Sequence, residues 1–137
     1  MTKKKVATGV IFLLVMIVLI AVIISSQKSR LSAYVGTWGE IESYQYGELL
    51  SETPIEDTTF HLNIKEDGQW TITDAFDYPA KVTTGYIETY EGKYCIYYSD
   101  SFRYVLDKRG SKLVVDVEYL KGNHPQASMI FQKENNN

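Results

Sequence analysis

At 137 residues the chain has room for one domain of modest size, and its single cysteine, Cys95, cannot close an internal disulfide, so the domain is held by its core alone. All seventeen acids lie beyond residue 30, against nine basic residues there, so that part of the chain carries a net charge of about −8. Such a balance repels phosphate backbones and argues against nucleic acid as a partner.

Residues 6–24, "VATGVIFLLVMIVLIAVII", carry no charge. As a helix they rise about 28 Å, close to a hydrocarbon core of roughly 30 Å. The run exceeds the roughly 7–15 apolar residues of a cleavable signal, and only Ile24-Ser25-Ser26 offers a poor cut site. The expectation is an uncleaved membrane helix, with a secreted form after signal cleavage as the alternative. Lys3, Lys4 and Lys5 precede the run and Lys28 and Arg30 follow it, which favours a cytoplasmic tip over 1–5 and a C-terminal domain outside the cell membrane. Residues 25–33 read as a polar linker, and 134–137 as a disordered tail.

From Tyr34 onward the apolar period is two. "FHLNI" sets Phe60, Leu62 and Ile64 on one face, "WTI" sets Trp70 with Ile72, "FRYVL" aligns Phe102, Tyr104 and Leu106, and "LVVDVEY" aligns Leu113, Val115, Val117 and Tyr119. Eight strands are predicted, over 34–44, 58–65, 69–74, 81–89, 93–98, 102–107, 112–120 and 126–133. Tight glycine-bearing turns ("EDG", "EG", "RG") follow strands two, four and six, and looser loops follow the others. In a meander the two kinds of connection therefore collect at opposite ends.

Hairpin parity supports one buried face. A three-residue Glu66-Asp67-Gly68 loop sets Ile64 opposite Trp70, and "SDS" sets Tyr98 opposite Phe102. A two-residue Arg109-Gly110 turn sets Leu106 opposite Leu113 and Tyr104 opposite Val115. The Glu91-Gly92 hairpin stays open, because "YCIYY" is apolar on both faces. One antiparallel sheet with a single apolar face is covered most economically by closing on itself. The predicted fold is all-β, an eight-stranded antiparallel up-and-down barrel over 34–133, preceded by one transmembrane α-helix.

Gly36-x-Trp38 on the first strand, a long first loop, an "EDGxW" hairpin and a terminal "MIFQK" resemble the calycin group, and within it the small bacterial lipocalin-like domains. "SDSFRY" is faintly similar to the second lipocalin motif, with Ser101 in place of its tyrosine, and Lys133 is the nearest basic residue to the arginine that the family packs on its tryptophan. The resemblance implies that Gly36 and Trp38 plug the barrel end opposite the mouth. "GTW" also resembles avidins, but two tryptophans cannot supply their biotin cage.

Two readings of the interior stand side by side: a packed core, or a cavity for a small apolar or amphipathic ligand lined by Trp70, Tyr86, Tyr94, Tyr98 and Tyr104. In the packed case, Tyr44, Tyr46, Phe76 and Tyr78 near the loop end become anchors for an envelope protein partner. Glu48, Glu52, Glu56, Asp57, Asp74, Asp77 and Asp100 make an acidic rim; a cationic peptide or Ca²⁺ would suit it, but the spacing fits no calcium loop and a solvated rim is the plainer reading. His61 and His124 have no sequence partner for zinc, and Cys95 lacks a base and reads as an inert thiol. No catalytic residue and no cofactor is expected.

Overall fold

The computed structural model describes residues 2–76, 78–122 and 124–135, with the side chains of 2–6 and 24–29 outside the description. The chain forms two compact units, residues 1–33 and 34–137.

The first unit is one helix, α1 (Thr2–Ser32), so the expected linker continues the helix. No glycine or proline interrupts 25–32, and propagation is inexpensive once a helix is nucleated. Its large apolar side chains from Val10 to Ile23 are all exposed, from 42% at Met16 to 68% at Phe12. Among the described residues no helix is long and apolar enough to cross a membrane. The helical stretch with described side chains there, 7–23, rises about 25 Å. Residues 6 and 24, the ends of the expected span, fall outside the described side chains.

The second unit is a nearly closed antiparallel barrel. Its strands are β1 (Gly36–Gln45), β2 (Glu48–Glu52), β3 (Phe60–Ile64), β4 (Gln69–Asp74), β5 (Lys81–Tyr86), β6 (Glu88–Tyr90), β7 (Lys93–Ile96), β8 (Phe102–Arg109), β9 (Lys112–Tyr119) and β10 (Ala127–Lys133). They run in the order β5-β4-β3-β1-β10-β9-β8-β7-β6, with β2 added beside β1. First and last strands pair from Trp38↔Lys133 to Gln45↔Ala127, so the ribbon closes as its alternation predicts.

Among the described residues there are ten strands where eight were expected. One addition is β2, inside the expected first loop. Tyr46 (φ 53°) and Gly47 (φ 77°) both take positive φ between the paired Gln45 and Glu48, a two-residue turn whose twist suits a hairpin. "ELLSE" lacks alternation, and every residue of β2 is exposed, so composition gives no hint of it. The other addition comes from the expected strand 81–89, which divides at Ile87. Its first part bonds β4 and its last part bonds β7, so one continuous segment bridges the barrel's only seam among the described ladders. Gly85 marks the bend; a Cβ there would lie 2.5 Å from Trp70 Cζ2, so the indole lies across a position that only glycine leaves clear.

The predicted hairpins hold with one shift of register. Ile64 faces Trp70. Arg109 pairs with Lys112, so the turn residues are Gly110 and Ser111; Leu106 therefore meets Val115 and Tyr104 meets Val117, two positions from expectation but on the same face. The unresolved fourth hairpin is a Glu91-Gly92 turn with φ of 51° and 77°. Inside lie Trp38, Leu62, Ile64, Trp70, Ile72, Ile96, Leu106, Leu113, Val115 and Phe131, all 3% exposed or less.

Candidate functional site

The tight-turn end of the barrel is closed. Trp38 is 1% exposed, and its Nε1 donates to Tyr34 O at 2.9 Å. Lys133, its ladder partner, holds Nζ 5.8 Å from the ring centroid. Gly36 sits at φ 137°, and a Cβ on it would lie 2.6 Å from Lys133 Cε. The Gly-x-Trp pair thus has a local physical cause: glycine clears the path by which the last strand's lysine reaches the tryptophan. Tyr34 covers the same end, edge-on to Tyr94 with centroids 5.2 Å apart.

At the opposite end the inner face becomes aromatic and acidic. Tyr98 stacks on Phe102 (5.6 Å), and Tyr104 contacts both Tyr98 (5.5 Å) and Phe102 (5.4 Å). Phe102 also meets Tyr119 at 5.9 Å, and Tyr119 stacks on His124 at 4.3 Å. Phe60 and Phe131 close the adjacent wall at 5.9 Å. Two carboxylates join this face, because Glu40 is the ladder partner of Phe131 and Asp74 that of Phe60. Burial, then the charge of Asp74, raise the Glu40 pKa above its ordinary value. Burial raises that of Tyr104 as well, with added contributions from Tyr98, Glu40, Tyr119 and Asp74. Lys81, the ladder partner of Asp74, holds Nζ 5.5 Å from the Tyr98 centroid, which ties the acidic side of the mouth to its rings.

The five residues expected to line a cavity separate. Tyr98 and Tyr104 stand at the mouth. Trp70, 3% exposed, and Tyr94, beside Tyr34, belong to the closed end. Tyr86 does not face inward: it pairs with Gln69 on the outer wall and is 63% exposed, because the neighbouring Trp70↔Gly85 pair takes the inward alternation. Among the expected partner anchors, Tyr46, Phe76 and Tyr78 are exposed at 70%, 82% and 101%. Tyr44 is half-buried on the outer wall, donating to Glu42 Oε2 at 2.9 Å. Asp77, expected on the acidic rim, lies outside the described residues.

Glu40 was not singled out in the sequence. The period of two from Gly36 and Trp38 already sets it on their inward face, and the bulge between Glu40 and Glu42 shifts only the residues beyond it. The outer wall holds a second unforeseen cluster. Arg103, 6% exposed, places its guanidinium 3.9 Å from the Tyr90 ring centroid, donates to Tyr97 Oη at 3.2 Å and pairs with Glu118. The Glu118 hydrogen bond is the largest influence holding Arg103 charged. Cys95, fully buried on this face, has its thiol pKa pushed up chiefly by burial, which suits an inert role. His61 pairs with Glu134, 73 residues away.

Two cavities lined by described residues lie on the outer wall. One of about 430 Å³ runs between Ile41 and Glu42 on one side and Thr53, Pro54 and Ile55 on the other; the second, about 150 Å³, lies beside Tyr90 and Val105. Among the described residues no group of three or more His, Cys, Asp or Glu could hold a metal ion. No protein-family profile, no curated protein and no solved structure matches the chain, so the barrel assignment rests on the strand ladders themselves.

Proposed function

We propose that this chain is a lipocalin-like binding protein, held at the outer side of a cell membrane by α1, that takes a small amphipathic molecule at the loop-end mouth of its barrel. The observation that carries the reading is the inward aromatic cluster of Tyr98, Phe102, Tyr104 and Tyr119 above an apolar floor. Aromatic faces with a few convergent polar groups are the usual lining of small-molecule sites. Attachment to the membrane is supported by the uncharged run 6–24 and its exposed apolar side chains.

Native mass spectrometry of the full chain purified from its host tests this reading. The expected result is a retained small molecule on a chain of full length; a mass lacking the first residues would replace the anchor with a cleaved signal. A second reading draws on the exposure of Tyr46, Phe76 and Tyr78 at the same end. It takes the barrel as a scaffold whose loops bind an envelope protein, and an empty barrel with a co-purifying chain would favour it.

A further inference from the structure

Resting on the mouth-binding reading above, we infer that the mouth selects an organic ammonium ion, an amine head carried on an apolar body. Three independent features point there. The first is an excess of negative charge, two carboxylates against the single ammonium of Lys81. Glu40 and Asp74 both stand on the inner face, and among the described residues neither makes an ion pair. Asp74 accepts the Phe76 amide at 3.1 Å, while Glu40 receives no hydrogen bond from a described residue. Lys81 is Asp74's ladder partner, yet it holds its ammonium over the Tyr98 ring, 5.5 Å from the centroid.

The second feature is the Tyr104 hydroxyl. The residue is only 8% exposed, and the hydroxyl has no hydrogen-bond partner among the described residues. A buried hydroxyl normally finds one. Its ring contacts Tyr98, over which Lys81, the ladder partner of Asp74, holds its ammonium, so the hydroxyl belongs to the mouth. There it can accept an N–H from a bound ammonium.

The third feature is the set of ring faces. Tyr98, Phe102 and Tyr119 form one contiguous ring cluster at the mouth, and the resident Lys81 already shows that the Tyr98 face accepts a cation. An anionic ligand would meet two like charges. A neutral one would cover Glu40 and the Tyr104 hydroxyl without supplying them partners, an arrangement that costs free energy. An ammonium satisfies both groups and the rings together.

Three probes of matched shape separate the possibilities: 3-phenylpropylammonium, 3-phenylpropionate and 3-phenylpropanol, each titrated calorimetrically into the full chain in phosphatidylcholine nanodiscs, with empty nanodiscs as blank. The ammonium is expected to bind at least about tenfold more tightly than the other two. Glu40→Gln should remove about tenfold of the ammonium's affinity and Tyr104→Phe several-fold. A thermal melt of each variant guards against misfolding. Equal binding of alcohol and ammonium, or tighter binding of the propionate, overturns the cation inference and leaves the mouth-binding reading standing. Failure of all three probes to bind overturns both.

Discussion

Gly36 and Glu40, four residues apart on β1, carry opposite kinds of constraint. Gly36 is required by space and by backbone: its φ of 137° disfavours a side chain, and a Cβ would collide with Lys133 Cε. Gly36→Ala is expected to cost about 1–3 kcal/mol in a denaturant melt. Adding Lys133→Ala should recover part of that loss, because one of the two causes is then removed. Glu40 is instead a residue that the fold tolerates at a cost. Burial and Asp74 raise its pKa above 4.5, so the folded chain holds the proton more tightly than the unfolded chain. This contribution to stability is fully present below pH 4.5 and is lost as pH rises through the folded pKa. Glu40→Gln is therefore expected to melt higher than the parent at neutral pH and at the same temperature near pH 4. A parent at least as stable at pH 7 would mean that the carboxylate is compensated.

Among the elements, the seam beside β5 is the weakest part of the wall. Ile87 donates to Gly68 O at 2.8 Å, so by alternation the amides of Val82, Thr84 and Tyr86 face away from β4. No described strand pairs with that edge of β5. In hydrogen exchange these three amides are expected to exchange at least about tenfold sooner than those of Leu113, Val115 and Phe131. Equal protection would require a partner strand at the seam. Lys81, at the start of β5, is the kind of charged residue that discourages edge-to-edge association. The Arg103 cluster acts on the other side of the seam. By stacking on Tyr90 and pairing with Glu118 it fastens the three-residue β6 to β8 and β9, which its short ladder alone would hold weakly.

For the molecule as a whole, the proposal with most bearing on biology is that the barrel lies on the outer side of a membrane. Cys95 is fully enclosed, whereas Leu50 on β2 is 62% exposed near the loop end. The native thiol is expected to stay unreactive toward a membrane-impermeant maleimide until the chain is unfolded. A Leu50→Cys variant should label at once on intact cells. Labelling that appears only after the membrane is permeabilised would overturn display on the outer side.

Much of this barrel was legible in the order of its residues. Alternation along "FHLNI", "FRYVL" and "LVVDVEY" determined which side chains turn inward, since a period of two leaves only two faces and water accepts only one of them. Glycine-bearing turns at alternate connections set the meander, whereas Trp38 as plug was what the resemblance to lipocalin-like domains implied. The mouth was legible in part: Tyr98 and Tyr104 lay on the predicted inner face, and the period of two from Trp38 sets Glu40 there as well, but the bulge that follows Glu40 is decided by what the opposite strands require. The division of 81–89 at Ile87, the extra hairpin of β2 and the outward turn of Tyr86 likewise arose only when the sheet curved round to meet itself. Single strands encode faces. Closure, which must satisfy every ladder at once with strands of fixed twist, decides where one strand has to bend and where an extra hairpin is added.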